Sequence, residues 1–303
     1  MMTKQDGLHR DVAGQLAAAG LDPERTGQVV RAALDEDFRY GPDLTTAATA
    51  APGAQAVARV VARKPGVVAG LPVGLAVLDL AGVPPEAAEL RRRDGDRIQS
   101  GDEVMRVSGP LREMLGAERT LLNFLTHLSG IATATRAWAD ALAGTGAVVR
   151  DTRKTTPGLR ELEKYAVRCG GGENHRMGLG DAALVKDNHV AAAGGVAAAI
   201  SAVRRAAPGL PMEVECDTLA QVREAVAAGA GLILLDNMSV ADMRSAVAVA
   251  RENPAVRLEA SGGLRLENAR AVAETGVDYL AVGALTHSSP ALDLGLDLMA
   301  PAG

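Results

Sequence analysis

The sequence predicts an α/β protein whose second half is a run of parallel βα units. Hydrophobic residues make up 48% of the 303 positions but aromatic residues only 2%, which is typical of helices and strands packed through small aliphatic side chains. The first 118 residues contain short strand-like segments between Gly and Pro turns. From about Ala147, apolar runs recur at regular intervals, and each precedes an Ala- and Val-rich helical segment. Such a repeat indicates alternating strands and helices.

The N-terminal part predicts helices and an antiparallel sheet. A helix is expected over residues 22–37, because Asp22 supplies an N-cap and Pro23 and Glu24 suit the first turn. Strands are expected over residues 56–64, 67–71, 97–99 and 104–108. Residues 113–143 predict a long helical region that is broken near Ser129 and Gly130.

Six strand ends are visible in the second half: VVRDT, ALVKDN, MEVECDT, LILLDN, RLEASGG and YLAVGA. From Glu215 to Asp236 is 21 residues, and from Asp236 to Ser261 is 25. Six such units favour a closed or nearly closed barrel over a doubly wound sheet, although the period alone is compatible with both. In a βα barrel the chemistry lies at the C-terminal ends of the strands.

Composition and charge argue against several classes of protein. The formal net charge is −5, so no overall basic field would attract nucleic acid or an anionic membrane. Two cysteines provide neither a disulfide framework nor a zinc-ligand set. No apolar run approaches the length of a membrane span, and the polar N-terminus lacks a signal-peptide core. We therefore expect a cytoplasmic protein without nucleic-acid or membrane partners.

Polar residues follow the predicted strands in a consistent order. The early strand ends are cationic, the middle ones carry carboxylates, and the late ones are glycine-rich. Glycine-rich turns after late barrel strands suit a sugar phosphate, and carboxylates suit ribose hydroxyls or Mg²⁺. The cations suit a second ligand with several carboxylates. Each feature alone has a structural alternative: Glu215, for example, is also explained as a barrel-interior charge paired to a lysine. All of these residues are predicted to lie at the same edge of the barrel, and this shared position favours the functional interpretation.

Eight motifs, in order along the chain, resemble the quinolinate phosphoribosyltransferase family. They are GAERTLLNFLTHLSGIAT, DTRKTTPGLR, GGGENHRMGL, LVKDNH, EVE, LLDNM, EASGG and VGALTHS. The resemblance implies an N-terminal α/β sandwich domain (1–118), joined by the tail (288–303), and an incomplete (open) α/β barrel of parallel βα units (119–287). It also implies a homodimer or higher oligomer in which the partner subunit supplies Arg119 to the barrel.

The resemblance further implies transfer of phosphoribosyl from 5-phosphoribosyl 1-pyrophosphate to quinolinate, with decarboxylation to nicotinate mononucleotide. The implied quinolinate-binding residues are Arg119, Arg153, His175, Arg176 and Lys186. The implied residues for phosphoribosyl pyrophosphate are Thr152, Lys154, Glu215, Asp236, Ser261, Gly262, Gly263, Val282, Gly283, Ala284 and His287. Lys154, Lys186, Glu215 and Asp236 take the catalytic roles, and Glu215 and Asp236 are the implied Mg²⁺ ligands.

Three alternatives compete with this prediction. A barrel aldolase would use Lys186 as a Schiff-base former, but arginine-held carboxylates need strong cations whereas a Schiff-base lysine must be partly neutral. A relative associated with molybdenum transport would lose part of the cationic set, which is retained here. A nicotinate-type phosphoribosyltransferase would not need to select a second carboxylate.

Overall fold

A computed structural model describes residues 7–299, which form two compact units. Of the described residues, unit 1 comprises 7–134, 156–171 and 288–299, and unit 2 comprises 135–155 and 172–287. The predicted domain boundary at residues 118 and 119 falls inside a continuous helix. No helix within residues 7–299 combines the length and the apolar character that crossing a bilayer requires.

Helices and strands are numbered in chain order. The helices are α1 (Arg10–Ala18), α2 (Pro23–Phe38), α3 (Leu44–Thr49), α4 (Leu71–Leu80), α5 (Leu111–Leu142), α6 (Arg160–Cys169), α7 (Asp187–Ala193), α8 (Val196–Ala206), α9 (Leu219–Ala227), α10 (Val240–Ala250), α11 (Leu266–Ala273) and α12 (Ala284–His287). The strands are β1 (Gln55–Ala62), β2 (Gly66–Val67), β3 (Ala88–Leu90), β4 (Arg97–Ile98), β5 (Glu103–Pro110), β6 (Val148–Arg150), β7 (Ala183–Val185), β8 (Met212–Cys216), β9 (Leu232–Asp236), β10 (Arg257–Ser261), β11 (Tyr279–Ala281) and β12 (Leu294–Leu298).

Unit 1 contains a four-stranded antiparallel sheet in the order β12-β1-β5-β3, and β2 pairs with β4. Strand β12 comes from the C-terminal tail and pairs along β1, with Ala58 opposite Leu298 and Ala62 opposite Leu294. The tail therefore completes the sheet that the N-terminal residues begin. The predicted cap of α2 is present, because the Asp22 side chain accepts from the backbone N–H groups of Glu24 and Arg25.

Two local predictions in unit 1 are wrong. The strand expected over residues 67–71 ends at Val67, and Leu71 begins helix α4, in which every residue except Pro72 is buried. A helix buried on all sides has no apolar periodicity by which the sequence could reveal it. The break expected near Ser129 and Gly130 is absent, because α5 is continuous. A Cβ at Gly130 would lie 2.2 Å from the carbonyl oxygen of Pro290, so this glycine permits close packing rather than a bend.

Unit 2 is a six-stranded parallel sheet in the order β6-β11-β10-β9-β8-β7. Among the described residues the two end strands, β6 and β7, are not paired with each other. Instead, a single parallel bridge joins Arg150 of β6 to Glu173 in the loop before β7. The sheet is thus an incomplete barrel, as predicted. Its strands run in one direction, so their C-terminal ends form one edge.

Candidate active site

Alternate residues of a strand face the same side of a sheet, and this spacing creates two layers in unit 2. The residues at the strand ends form the upper layer: Thr152, Glu215, Asp236 and Ser261. The residues two positions earlier form the lower layer: Arg150, Glu213, Leu234 and Glu259. The register of β9 and β10 follows this division, since Ser261 lies opposite Asp236 and Glu259 opposite Leu234. Strand β8 is offset by two residues, because Glu215 lies opposite Leu234, and Arg150 of β6 lies opposite Ala281. Most of the predicted ligand-binding side chains belong to the upper layer or to the loops that follow it.

Two guanidinium groups interact at the cationic side of this edge. Burial and the positive charge of Arg153 lower the pKa of Arg176 from its ordinary value. One Arg176 nitrogen donates to the carbonyl oxygen of Ala182 at 2.9 Å, which fixes the side chain. The Nε of Arg153 is buried and has no acceptor within residues 7–299. An anion with two carboxylates would relieve this repulsion and supply the missing acceptors.

Lys186 and Glu215 form an ion pair, with 2.9 Å between Lys186 Nζ and Glu215 Oε2. The lysine side chain is 48% exposed and that of Glu215 only 13%, so the pair has one end in solvent. This is the lysine-paired arrangement that the sequence offered as the structural alternative for Glu215. The pair does not remove either group from a binding role, because each retains further hydrogen-bonding capacity.

Three predicted ligand-binding residues gather around Gly283. A Cβ at this glycine would lie 2.9 Å from Lys154 Cδ, 3.3 Å from His287 Nε2 and 3.4 Å from Thr152 Oγ1. The hydroxyl of Thr286 donates to the carbonyl oxygen of Lys154 at 2.8 Å and so ties the lysine loop to α12. Lys154 and His287 themselves are exposed. The arrangement places two potential cations and a hydroxyl beside a backbone that has no side chain, which suits a phosphate group.

Asn237 connects the ends of β9 and β10. It is the non-glycine residue with a left-handed backbone among residues 7–299, at a φ of 53°. Its side-chain nitrogen donates to Asp236 Oδ2 at 2.7 Å, and its backbone N–H donates to the carbonyl oxygen of Ser261 at 2.9 Å. A Cβ at Gly262 would lie only 2.2 Å from Asn237 Oδ1, so this position needs glycine.

The donor set at the strand ends fits Mg²⁺. Glu215 and Asp236 end neighbouring strands and offer carboxylate oxygens, the ligands that Mg²⁺ prefers. Each has one oxygen engaged, by Lys186 and Asn237 respectively, which leaves the other for an ion. Mg²⁺ is usually held by one or two carboxylates together with substrate phosphates, so two protein ligands are sufficient.

A buried ionic group lies beneath the upper layer, and we call Arg150, His175, Glu213 and Glu259 the floor cluster. Arg150 pairs with Glu259 at 2.7 Å and lies over the ring of Tyr279, 4.5 Å from its centroid. His175 Nε2 is 2.5 Å from Glu213 Oε2 and 3.5 Å from Glu259 Oε1. Burial, together with the charge of Glu213, raises the pKa of Glu259 to about 7.

His175 and Arg176 lie on the irregular loop between Gly170 and Ala183, which β6 secures. The buried Asp151 accepts from the backbone N–H of His175 at 2.8 Å and from the side chain of Asn174 at 2.5 Å. Glu173 exchanges backbone hydrogen bonds with Val149 and Asp151. The sequence did not predict roles for Asp151, Asn174 or the floor carboxylates. The signal was available, since Glu213 and Glu259 each stand two residues before a predicted site residue.

The remaining predicted residues are distributed over both units. Arg119 is exposed on α5 in unit 1. Gly263, at a φ of 62°, continues the turn after β10, and Val282 is buried after β11. Ala284 begins α12.

The chain is similar to known proteins over most of its length. Residues 43–129 match the N-terminal domain of quinolinate phosphoribosyl transferase, and residues 131–297 match the C-terminal domain. A nicotinate-nucleotide pyrophosphorylase [carboxylating] from Mycobacterium leprae is 57% identical over 273 residues, which are 89% of this chain and 95% of that protein. The structure of NadC from Streptococcus pyogenes matches with a TM-score of 0.85 at 41% identity, and the match covers 92% of this chain and 99% of the NadC chain. Nicotinate-nucleotide pyrophosphorylase from Ehrlichia chaffeensis has a TM-score of 0.84 at 36% identity, with coverages of 90% and 98%.

Proposed function

The chain belongs to the quinolinate phosphoribosyltransferase family, and we propose that it transfers phosphoribosyl from 5-phosphoribosyl 1-pyrophosphate to quinolinate with loss of CO₂. The observation that carries this proposal is the strand-end edge of unit 2. There, Arg153 and Arg176 repel each other at one side, while Lys154, Thr152 and His287 surround Gly283 at the other. One side suits a dicarboxylate and the other a sugar phosphate.

Quinolinate binds at the cationic side of this edge. The planar forks of Arg153 and Arg176 match its two carboxylates, and Lys186 adds a third cation. Arg119 of the partner subunit completes the pocket in a homodimer or higher oligomer, and the family resemblance supports this assignment. Size-exclusion chromatography with light scattering tests the assembly, and a monomer with full activity contradicts it. The protein acts in the cytoplasm.

Phosphoribosyl pyrophosphate binds at the glycine side. Backbone N–H groups of the 261–263 and 282–284 turns hold its 5′-phosphate, and the carboxylates of Glu215 and Asp236 hold the ribose hydroxyls. Glu215 and Asp236 would also hold Mg²⁺, which when bound neutralises pyrophosphate charge. Lys154 lies beside Thr152 and donates to the departing pyrophosphate oxygens.

The transfer requires orientation rather than a protein nucleophile. The quinolinate ring nitrogen donates its lone pair to the anomeric carbon, and the bond from that carbon to pyrophosphate breaks with its electron pair on oxygen. The site's main contribution is to hold two mutually repelling polyanions together. In the product the ring nitrogen is cationic, so the electron pair of the adjacent C–CO₂ bond can remain on the ring carbon, which then takes a proton from water.

An assay of the purified protein with Mg²⁺ tests this function directly. Quinolinate and nicotinate are supplied in parallel with phosphoribosyl pyrophosphate, and nicotinate mononucleotide, pyrophosphate and CO₂ are measured. We expect equal amounts of the three products from quinolinate and no turnover of nicotinate. Turnover of nicotinate without CO₂ would instead support the nicotinate-type alternative, and turnover of neither would contradict the proposal.

A further inference from the structure

The two carboxylates of the floor cluster have no part in the transfer described above, although they lie beneath the site beside His175, a predicted quinolinate-binding residue. Both ring nitrogens of His175 are engaged. Nδ1 lies 2.8 Å from the backbone nitrogen of Arg176, and Nε2 lies 2.5 Å from Glu213 Oε2. A backbone N–H can only donate, so Nδ1 must be the acceptor and carries no proton. The ring proton therefore resides on Nε2 and is donated to Glu213.

We propose that Glu213 is a positioning residue for quinolinate recognition. Its carboxylate orients the His175 ring, and the ring in turn accepts the backbone N–H of Arg176. Arg176 is thereby held where its guanidinium meets the substrate carboxylate. This inference rests on the proposed function, in which Arg176 binds quinolinate.

Glu213 is well suited to this role because it lies on a strand, whereas His175 and Arg176 lie on a loop. The Glu213 side chain is 3% exposed and that of His175 is 10% exposed, so water competes little for their hydrogen bond. Glu213 forms no ion pair with an arginine among residues 7–299, although its charge acts on the pKa of Arg176, whereas Glu259 is paired with Arg150 at 2.7 Å. Glu213 Oε2 is therefore committed to the histidine.

The same geometry argues against a metal ion at the floor cluster. Ligand atoms of His175, Glu213 and Glu259 lie within 4.8 Å of one another and could in principle hold an ion. A coordinating histidine nitrogen must be unprotonated, but Nε2 carries the ring proton. Arg150 already supplies a positive charge to Glu259. The positive charge in the floor cluster is thus supplied by the Arg150 side chain, and the cluster serves to hold other residues in position.

Two substitutions at one position separate the hydrogen bond from the charge. Glu213→Leu removes the acceptor, while Glu213→Gln retains an acceptor oxygen at nearly the same place. We expect Glu213→Leu to raise the KM for quinolinate about 10- to 100-fold, the range for a lost charged hydrogen bond. The KM for phosphoribosyl pyrophosphate should change by less than about threefold, and Glu213→Gln should recover most of the loss. Equal changes in both KM values would overturn the positioning role.

A matched control distinguishes positioning from general stability. Asp79 is a buried carboxylate in unit 1 that accepts one hydrogen bond, from the backbone N–H of His9 at 2.7 Å. Asp79→Leu should lower the Tm and leave both KM values unchanged. A quinolinate-specific rise in this control as well would assign the effect of Glu213→Leu to stability and overturn the inference.

The tautomer provides a test in the unaltered protein, whether or not Glu213→Leu folds. The chain has five histidines, so ¹⁵N-labelled histidine gives a tractable spectrum, and His175→Gln assigns the signal. We expect His175 to show a protonated Nε2 and an unprotonated, hydrogen-bonded Nδ1. A proton on Nδ1 would overturn the proposal.

Arg176→Lys separates failure of this inference from failure of the proposed function. If it raises the KM for quinolinate and Glu213→Leu does not, the positioning role is wrong and the proposed function stands. If Arg176→Lys leaves that KM unchanged, Arg176 does not bind quinolinate and both are wrong.

Discussion

Long cationic side chains follow β6 or lie before or directly after β7, whereas glycine turns and a left-handed asparagine follow β9, β10 and β11. We call the first group the cationic half, with Arg153, Arg176 and Lys186, and the second the glycine half, with Asn237, the 261–263 turn and Gly283. In the cationic half an ion pair of 2.9 Å fixes Lys186, and the floor cluster lies below. In the glycine half, Gly262 and Gly283 have no Cβ atom, which allows Asn237 and Lys154 to approach the backbone closely.

The difference follows from the ligands that each half is proposed to bind. A flat dicarboxylate is best held by guanidinium forks, and long side chains lose entropy unless other groups hold them in place. A phosphate is well held by backbone N–H groups, which need close approach more than they need side chains. The cationic half should therefore be sensitive to loss of charge, and the glycine half to gain of volume.

The largest effect is expected where the two halves meet, at Lys154. Lys154→Met keeps the apolar stem but removes the cation that would stabilise the departing pyrophosphate. We expect kcat to fall about 1000-fold, as for loss of one preorganised donor at a developing charge. Steady-state kinetics measure this, with Lys64→Met, an exposed lysine of unit 1, as the control. A fall of less than about threefold would separate Lys154 from the reaction.

The floor cluster should make the stability of the protein depend on pH. Folding raises the pKa of Glu259 from an ordinary 4.5 to about 7, so its protonated form is favoured in the folded state. Its contribution to stability is therefore complete below about pH 4.5 and is lost as the pH rises through about 7. Denaturant unfolding from about pH 4 to about pH 8 should show this loss relative to Glu259→Gln. Parallel pH curves for the two proteins would contradict it.

Gly262 and Gly263 allow a matched test of volume in the glycine half. Both have a positive φ, 83° and 62°, but a Cβ at Gly262 would lie 2.2 Å from Asn237 Oδ1, whereas a Cβ at Gly263 would have open space within 4 Å. Gly262→Ala should lower kcat/KM for phosphoribosyl pyrophosphate about 100-fold by displacing the turn. Gly263→Ala should cost about 1 kcal/mol of stability through backbone strain and should lower kcat/KM by much less than Gly262→Ala does. Equal effects would show that the contact with Asn237 is unimportant.

The smallest effect is expected at Asn237. Asn237→Gly loses the hydrogen bond to Asp236 but adopts the left-handed backbone without strain. Asn237→Ala loses the same hydrogen bond and is also strained in that backbone. The alanine variant should be about 1 kcal/mol less stable than the glycine variant, which thermal or denaturant unfolding can resolve. Both should weaken binding of phosphoribosyl pyrophosphate to a similar extent. If the two variants are equally stable, the backbone at this position is not strained by alanine.

The sequence predicts the regular parts of this protein well. The six strand ends of unit 2 and the cap of α2 are confirmed, because each depends on a local pattern that repeats or on one side chain beside its own helix. The predicted strand-end residues are also brought to one edge, with Thr152, Lys154 and His287 around Gly283. Parallel strands make that outcome a consequence of topology.

What the sequence does not predict depends on contacts between distant residues. The charged residues Glu163 and Lys164 of α6 are fully buried, and Glu163 is 2.9 Å from His127 of α5. Gly130 suggests a helix break, but its role is set by Pro290, 160 residues later in the chain. The floor cluster likewise unites β6, β8, β10 and a loop. No local pattern specifies such partners.

The central claim is that the two halves bind different substrates, and separate binding measurements test it most directly. Calorimetric titration gives the Kd of quinolinate and of phosphoribosyl pyrophosphate for Arg176→Lys and for Gly262→Ala. We predict that Arg176→Lys weakens quinolinate about tenfold or more and leaves phosphoribosyl pyrophosphate within about threefold, and that Gly262→Ala does the reverse. If both variants weaken the same substrate, the division of the edge into two halves is wrong.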